Sequence, residues 1–151
     1  MYFVAPTAKG HGTDNAIHAV HHDPTALKGK VAAVKIIASS LMIGSGGSGG
    51  REGPTAQISA TVISSLCKKL KIATPDARIA VSAATASGIG AIFRAPLGGA
   101  LLGAELLYRD DMESDAIMPS LVSSIVAFVV FGSVYGPVSY THLTLPTKRI
   151  V

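Results

Sequence analysis

A run of 20 residues without a charged side chain, residues 116–135, constrains this chain more than any other feature. An α-helix rises 1.5 Å per residue, so about 20 residues cover the roughly 30 Å hydrocarbon core of a bilayer. The composition agrees, because 48% of the 151 residues are hydrophobic and only 15% are charged. The sequence therefore predicts a membrane protein built from helices.

The other apolar segments are shorter and are interrupted by charge, glycine or proline. Residues 27–46 contain three lysines, which predicts a tilted or protein-packed helix rather than a simple span. Further helices are predicted over residues 54–70, 77–89 and 97–108, with Thr74 as a helix cap. Broken backbone at membrane depth is tolerated only where protein buries it or where it lines a watery cavity. This pattern indicates a transport pathway.

Several other function classes find little support in the sequence. The basic residues behind the net charge of +4 are spread along the chain, so no nucleic-acid partner is expected. Cys67 is the only cysteine, which excludes an internal disulfide or a cysteine-based zinc site. The glycine-rich run 44–50 continues into Arg51 and Glu52, whereas a phosphate-binding loop requires Gly-Lys-Ser/Thr.

Four histidines lie near the N-terminal end. His18 and His22 share a helical face at i and i+4, and His11 and His21 lie nearby. No acidic or cysteine partner completes a recognised ligand set. The pattern therefore favours a solvated or interfacial histidine cluster, and no metal site is expected.

Glu52 lies just after the glycine-rich run, at the start of a predicted helix. A carboxylate among free backbone N–H groups occupies a place where a diffusible anion could bind instead, so it can act as a gate. The alternative is an ordinary first-turn acid that follows a flexible glycine linker.

Two long motifs resemble those of the ClC family of chloride channels and chloride/proton exchangers. They are GREGPTAQI at residues 50–58 and GAIFRAPLGGALLGAE at residues 90–105. A looser match, GHGTD at residues 10–14, stands where that family has Gly-Ser-Gly-Ile-Pro. The resemblance covers residues 5–136.

The resemblance implies an all-α membrane fold of tilted and broken transmembrane helices, forming part of the ClC inverted repeat over residues 1–137. It implies a multi-pass protein of a bacterial or archaeal cell membrane that transports chloride without a cofactor and is not an enzyme. A homodimer embedded in the lipid bilayer is expected of the complete protein.

The resemblance also assigns roles around the first long motif. Glu52 matches the gating glutamate, whose ionised side chain competes with an anion for the outer site. Gly50, Arg51 and Gly53 match the segment that supplies this site, where Arg51 raises the local positive potential.

Gly10, His11 and Gly12 match the segment that binds the central anion. His11 replaces the serine whose hydroxyl helps to coordinate that anion in the family. The central site is therefore expected to be wider, less selective or sensitive to histidine protonation. A plain structural histidine at a turn is the alternative.

The second long motif, together with Pro54 of the first, supplies residues expected to shape the fold. The structural positions are Pro54, Gly90, Phe93, Pro96, Gly99 and Glu105. Proton-coupled members usually carry a second glutamate directly after Glu105, whereas this chain has Leu106. This difference favours a passive anion channel over a chloride/proton exchanger. A non-conducting segment that only packs or assembles is the alternative from another class.

Residues 138–151 are polar and β-prone, unlike the rest of the chain. We interpret them as a non-native or disordered tail, with a short genuine tail as the alternative. The resemblance places the chain in the first half of the family's membrane domain. Residues 1–151 alone are therefore expected to show no transport activity.

Overall fold

The computed structural model describes residues 8, 10–106 and 114–136. These residues form six α-helices and no β-strand, which confirms the all-α prediction. The helices are α1 (Thr13–His21), α2 (Gly29–Gly44), α3 (Glu52–Leu70), α4 (Thr74–Phe93), α5 (Pro96–Leu106) and α6 (Ser114–Tyr135). The predicted tail at 138–151 lies outside the described residues and stays a prediction.

The helix boundaries follow local signals, with one correction. Thr74 is the first residue of α4 and not its cap, because the N-cap position belongs to Ala73 and no side chain caps this end. Pro75 fits the first turn, where its missing N–H costs no helical hydrogen bond. At the other end Arg94 adopts a left-handed φ of 53°, which ends α4 before Pro96 begins α5.

The centre of the fold is α4, which packs against α1, α3, α5 and α6. Small side chains make these close contacts feasible. An ideal Cβ at Gly99 would lie 2.5 Å from the backbone nitrogen of Gly90, so α4 and α5 touch through their backbones. The Ser82 hydroxyl adds a hydrogen bond to the Gly103 carbonyl at 3.1 Å.

The interior contains small and polar side chains, whereas many large apolar side chains face outward. Gln57, Thr61 and Ser82 are fully buried. In contrast, Leu41 on α2 and Val134 on α6 are 68% and 71% exposed. A water-soluble domain buries its large apolar side chains, so this distribution is typical of a protein whose outer surface meets lipid or further helices.

Within the described part of the chain, α6 alone is both long and apolar enough to cross a membrane. Its mean hydropathy is 2.1 over the most apolar 18-residue window. It agrees with the span expected at residues 116–135 and extends two residues further toward the N-terminus. The multi-pass arrangement stays a prediction, because the other described helices do not meet both criteria.

A small apolar cluster fixes α1 against α3 and α4. Ala16 and Val20 of α1 pack with Ala60 of α3 and Val81 of α4, and all four are almost completely buried. Because α1 has only nine residues, isolated helix propensity would leave it marginal. This cluster therefore sets where the first turn of α1 lies.

Candidate functional site

The N-terminal ends of α1 and α3 meet in the folded chain. An ideal Cβ at Gly12 would lie 2.7 Å from Gln57 Oε1 and 2.9 Å from the Gly53 carbonyl oxygen. An ideal Cβ at Gly53 would lie 2.6 Å from His11 Nδ1. The structure thus brings together two segments that are about 40 positions apart in the sequence, at residues 10–12 and 50–53.

Position 12 requires a glycine for two reasons, the backbone conformation there and the lack of space for a side chain. Its φ of 107° lies in a region that L side chains rarely adopt, and it occupies the N-cap position of α1. Any larger residue would meet both conformational strain and the contact with α3. Gly12 therefore lets the chain turn into α1 while touching α3.

Both converging helices begin without a side-chain cap. The N-cap residues are Gly12 for α1 and Arg51 for α3, and neither makes a side-chain capping hydrogen bond. The first backbone N–H groups of a helix have no partner within the helix, and the helix dipole adds about half a positive charge there. Such ends can hold an anion without a formal positive charge.

The Glu52 carboxylate turns back toward the glycine-rich loop. A side chain at Gly50 would overlap Glu52 Oε2, so the absence of a Cβ leaves room for the carboxylate. Glu52 also lines a cavity of about 430 Å³ together with His11, Asp14 and Phe93. The negative charge therefore lies at the wall of an open space beside an uncapped helix start.

Lys35 lies beside the loop that precedes α1. Its side chain is only 4% exposed, and its ammonium donates to the carbonyl oxygens of Ala8 at 3.1 Å and Gly10 at 2.7 Å. It also lines a second cavity of about 430 Å³. This cation therefore holds the loop that precedes α1 and contributes positive potential beside it.

From the sequence, Lys35 and its neighbouring lysines predicted a tilted or protein-packed helix, but the contact of Lys35 with this loop was not predicted. The available signal was a lysine within an apolar helical segment. Ionisable residues in such segments are rare and often mark transport pathways. The contact partners, 25 and 27 positions away, could not be inferred from the local pattern.

His11 lies between the two cavities and lines both. Its Nδ1 shares a hydrogen bond with the Thr13 hydroxyl at 2.9 Å, while the imidazole packs against Gly53. The side chain is exposed. A histidine here therefore forms part of the wall of both cavities.

The remaining predicted site residues differ in whether they line one of the two cavities. Pro54 lines the Lys35 cavity and Phe93 lines the Glu52 cavity. Arg51 and Glu105 are exposed and line neither cavity. The structure thus brings Pro54 and Phe93 to the converging helix ends.

Gly90, Pro96 and Gly99 lie at the α4–α5 junction. Gly90 packs against Ser124 of α6 as well as Gly99, while Pro96 starts α5. These positions form the close helix contacts that hold α4 behind the site.

No group of three or more histidine, cysteine, aspartate or glutamate side chains suited to a metal ion occurs within residues 8, 10–106 and 114–136. The candidate site instead combines backbone N–H groups, the carboxylates of Glu52 and Asp14, and one buried ammonium. Anion binding is the chemistry that this combination supports best.

Outward-facing apolar side chains and helices packed through small residues are typical of a helical membrane protein, and converging uncapped helix ends suit an anion. The sequence profile described as voltage gated chloride channel matches residues 1–150. The chain belongs to this voltage-gated chloride channel family, ClC. This finding confirms the family resemblance of the motifs at residues 50–58 and 90–105.

Individual relatives agree with this assignment. The chain is 32% identical over 130 residues to a chloride/fluoride channel protein of Pseudomonas syringae, covering 82% of this chain and 27% of the relative. It is 34% identical over 99 residues to the voltage-gated ClC-type chloride channel ClcB of Shigella flexneri, covering 64% and 23%. An uncharacterized protein of Methanocaldococcus jannaschii is 29% identical over 139 residues, covering 91% and 34%.

The chain thus spans about a quarter to a third of the length of these curated relatives. No solved structure matches it. The family match extends through residue 150 and so includes most of the segment that we interpret as a tail.

Proposed function

We propose that this chain supplies part of the pathway of a chloride channel, with the anion bound at the N-terminal ends of α1 and α3 and gated by Glu52. The observation that carries this proposal is the contact between Gly12 and the first turns of α3, beside the Glu52 carboxylate. Gly10, His11 and Gly12 contribute one side of the anion path, and Gly50, Arg51 and Gly53 contribute the other.

Partial charges suit permeation better than a direct ion pair. Helix N-termini attract an anion, but they bind it more weakly than a formal positive charge at contact distance. The Lys35 ammonium is already bonded to two backbone carbonyls, so it acts through its field and by holding the loop. An anion can therefore enter the site and also leave it.

Glu52 gates by competition for the same positive potential. When ionised, its carboxylate takes the place of an anion near Gly50 and the start of α3. Protonation or outward rotation of the side chain removes that competitor and opens the site. This role accounts for an acid placed among glycines, where the loop backbone can approach both the carboxylate and an anion.

We favour passive conduction because Leu106 occupies the position after Glu105, where the resemblance implies a proton-relaying glutamate in exchangers. The complete protein is proposed to be a multi-pass homodimer in the bilayer. The transported ion is a halide. Chloride is the first candidate, and fluoride merits direct comparison because the Pseudomonas syringae relative is named for both anions.

The test uses a full-length protein containing these residues, reconstituted in liposomes. Chloride and fluoride efflux is measured with an ion-selective electrode across a pH series. Glu52→Gln should change the flux and reduce its pH dependence, because the neutral amide cannot compete as an anion. Asp76→Asn is the matched control, since Asp76 is also a first-turn helix acid but belongs to α4.

Equal effects of Glu52→Gln and Asp76→Asn would contradict the gate and support an ordinary helix-dipole role. If Glu52→Gln alters expression but leaves the anion flux unchanged, the result would support a segment that only packs. A proton flux that tracks chloride flux, recorded with a pH electrode, would contradict passive conduction and establish exchange.

A further inference from the structure

The C-terminal end of α1 carries two imidazoles that the anion site does not use. The His22 N–H donates to the His18 carbonyl at 3.0 Å, so helical geometry continues through His22. The centroids of the His18 and His22 imidazole rings lie 4.3 Å apart, with 52° between the ring planes. Both side chains are exposed in the described part of the chain.

This spacing suits one metal ion bound by two imidazole nitrogens. Metal–nitrogen bonds are about 2.0–2.1 Å for zinc, so two nitrogens on one ion lie about 3 Å apart. Exposed side chains change rotamer rapidly, and a modest ring rotation can direct one nitrogen of each ring toward a shared point. The helix backbone, meanwhile, keeps the two residues one turn apart.

We propose that His18 and His22 clamp one divalent transition-metal ion, with water completing its coordination. Imidazole favours Cu²⁺, Ni²⁺ and Zn²⁺, whereas Mg²⁺ and Ca²⁺ favour oxygen ligands. With two protein ligands, this is an exchangeable site and not a four-ligand structural centre. The sequence alone favoured a solvated or interfacial histidine cluster, and the ring apposition in the fold is the observation that changes this interpretation.

The clamp has a physical consequence for α1. A short helix gains stability when its last turn is cross-linked, because fraying of that turn then requires loss of a metal bond. The opposite end of the same nine-residue helix holds Gly12 against α3. Metal binding therefore stabilises the helix that carries one side of the candidate anion site.

The first test titrates Ni²⁺ into the untagged 151-residue chain in detergent and follows binding by isothermal calorimetry. One strong site is expected. His18→Ala and His22→Ala should each weaken Ni²⁺ binding by at least about tenfold. Removal of an outer-shell partner already costs a metal site about 10–100-fold in affinity, and these two residues are proposed as direct ligands. His11→Ala should leave the affinity unchanged, and Mg²⁺ should give no binding heat.

Wild-type affinity in either the His18→Ala or the His22→Ala variant would overturn the clamp. An equal loss in His21→Ala would overturn its assignment to this pair alone. Far-UV circular dichroism should show wild-type helix content in every variant, as expected for exposed positions.

A second measurement counts the ligands directly. Electron paramagnetic resonance of bound Cu²⁺ should show hyperfine coupling to two imidazole nitrogens, falling to one in each single variant. Coupling to fewer than two nitrogens in the wild-type chain would refute the proposal even if the calorimetric variants behaved as expected.

Discussion

The Lys35 ammonium donates to the Gly10 carbonyl oxygen at 2.7 Å, which joins the middle of α2 to the loop that precedes α1. Its second bond, to the Ala8 carbonyl, ties the same ammonium to two positions of that loop. One buried cation therefore supports the position from which α1 approaches α3.

Replacing Lys35 tests this support. Lys35→Met keeps an unbranched chain but leaves the two carbonyls without their donor, and an unsatisfied buried polar group costs about 1–3 kcal/mol. We expect a lower midpoint of thermal unfolding in detergent. Lys30→Met, at an exposed position of the same helix, should have little effect. Equal midpoints for the two variants would contradict the role of Lys35.

Gly53→Ala tests the contact between the two helix ends. The new methyl group would overlap His11, and overpacking of this kind costs about 1–3 kcal/mol. Thermal unfolding should therefore begin at a lower temperature, and the His11 imidazole signals in an NMR spectrum should shift. Gly44→Ala is the control, because no described atom outside its local surroundings lies within 4 Å of an ideal Cβ there. Unshifted His11 signals in Gly53→Ala would refute the contact.

Neighbouring glycines on α5 offer a matched pair. Gly99→Ala places a methyl group against the Gly90 backbone, whereas an ideal Cβ at Gly98 would only touch Ala95 at 3.7 Å. Gly99→Ala should destabilise the fold by about 1–3 kcal/mol through separation of α4 and α5. Gly98→Ala should be neutral or stabilising, because alanine favours a helix more than glycine does. The midpoints of thermal unfolding of both variants are measured in detergent. A lower midpoint for Gly98→Ala than for Gly99→Ala would contradict the close packing of α4 and α5.

The connection between α1 and α2 contains a pH-sensitive contact. The hydroxyl and backbone N–H of Thr25 donate to Asp23 Oδ1 at 2.8 and 2.9 Å and lower the pKa of Asp23 below its ordinary value. A lowered folded-state pKa contributes stability above the unfolded pKa of about 3.9, and this contribution is lost as pH falls through the folded value. The wild-type chain should therefore exceed Asp23→Asn in thermal stability at neutral pH.

That difference should shrink as the pH falls below about 4, because the aspartate then protonates in the unfolded state first and in the folded state only at a lower pH. Unfolding midpoints of the two chains across a series of buffers provide the measurement. A stability difference that is independent of pH would show that the carboxylate charge has no part in the contact.

Local sequence patterns predicted α2 to α6 because the physical causes of these helices are local, although no range was predicted for α1 and α4 extends beyond residues 77–89 at both ends. The uncharged run at residues 116–135 could lower its free energy in a bilayer only as a helix, and α6 covers it. The end of α4 at Phe93 agrees with Pro96, whose ring disfavours helical geometry at Ala95, because helices usually end at or before the residue that precedes a proline. Thr74 was misassigned as a cap because a shift of one residue at a helix end changes the pattern little.

The candidate site was predicted only in part. Glu52 and Gly53 came from a motif that the sequence carries in full and Gly12 came from a looser match, and the structure places the three residues near one another. Lys35 was missed because its partners are backbone carbonyls, which have no residue-type signature. The apposition of the His18 and His22 rings likewise depends on side-chain rotamers that helical spacing permits but does not require.

The sequence by itself therefore determined the all-helical class, the family and the residue types at the helix starts, since hydrophobicity, helix propensity and motifs are properties of nearby residues. Only the tertiary structure decided that the ends of α1 and α3 converge beside one buried lysine. That arrangement arises from long-range packing of α1 on α3 and α4, in which glycine and alanine permit backbone contacts that no short segment specifies.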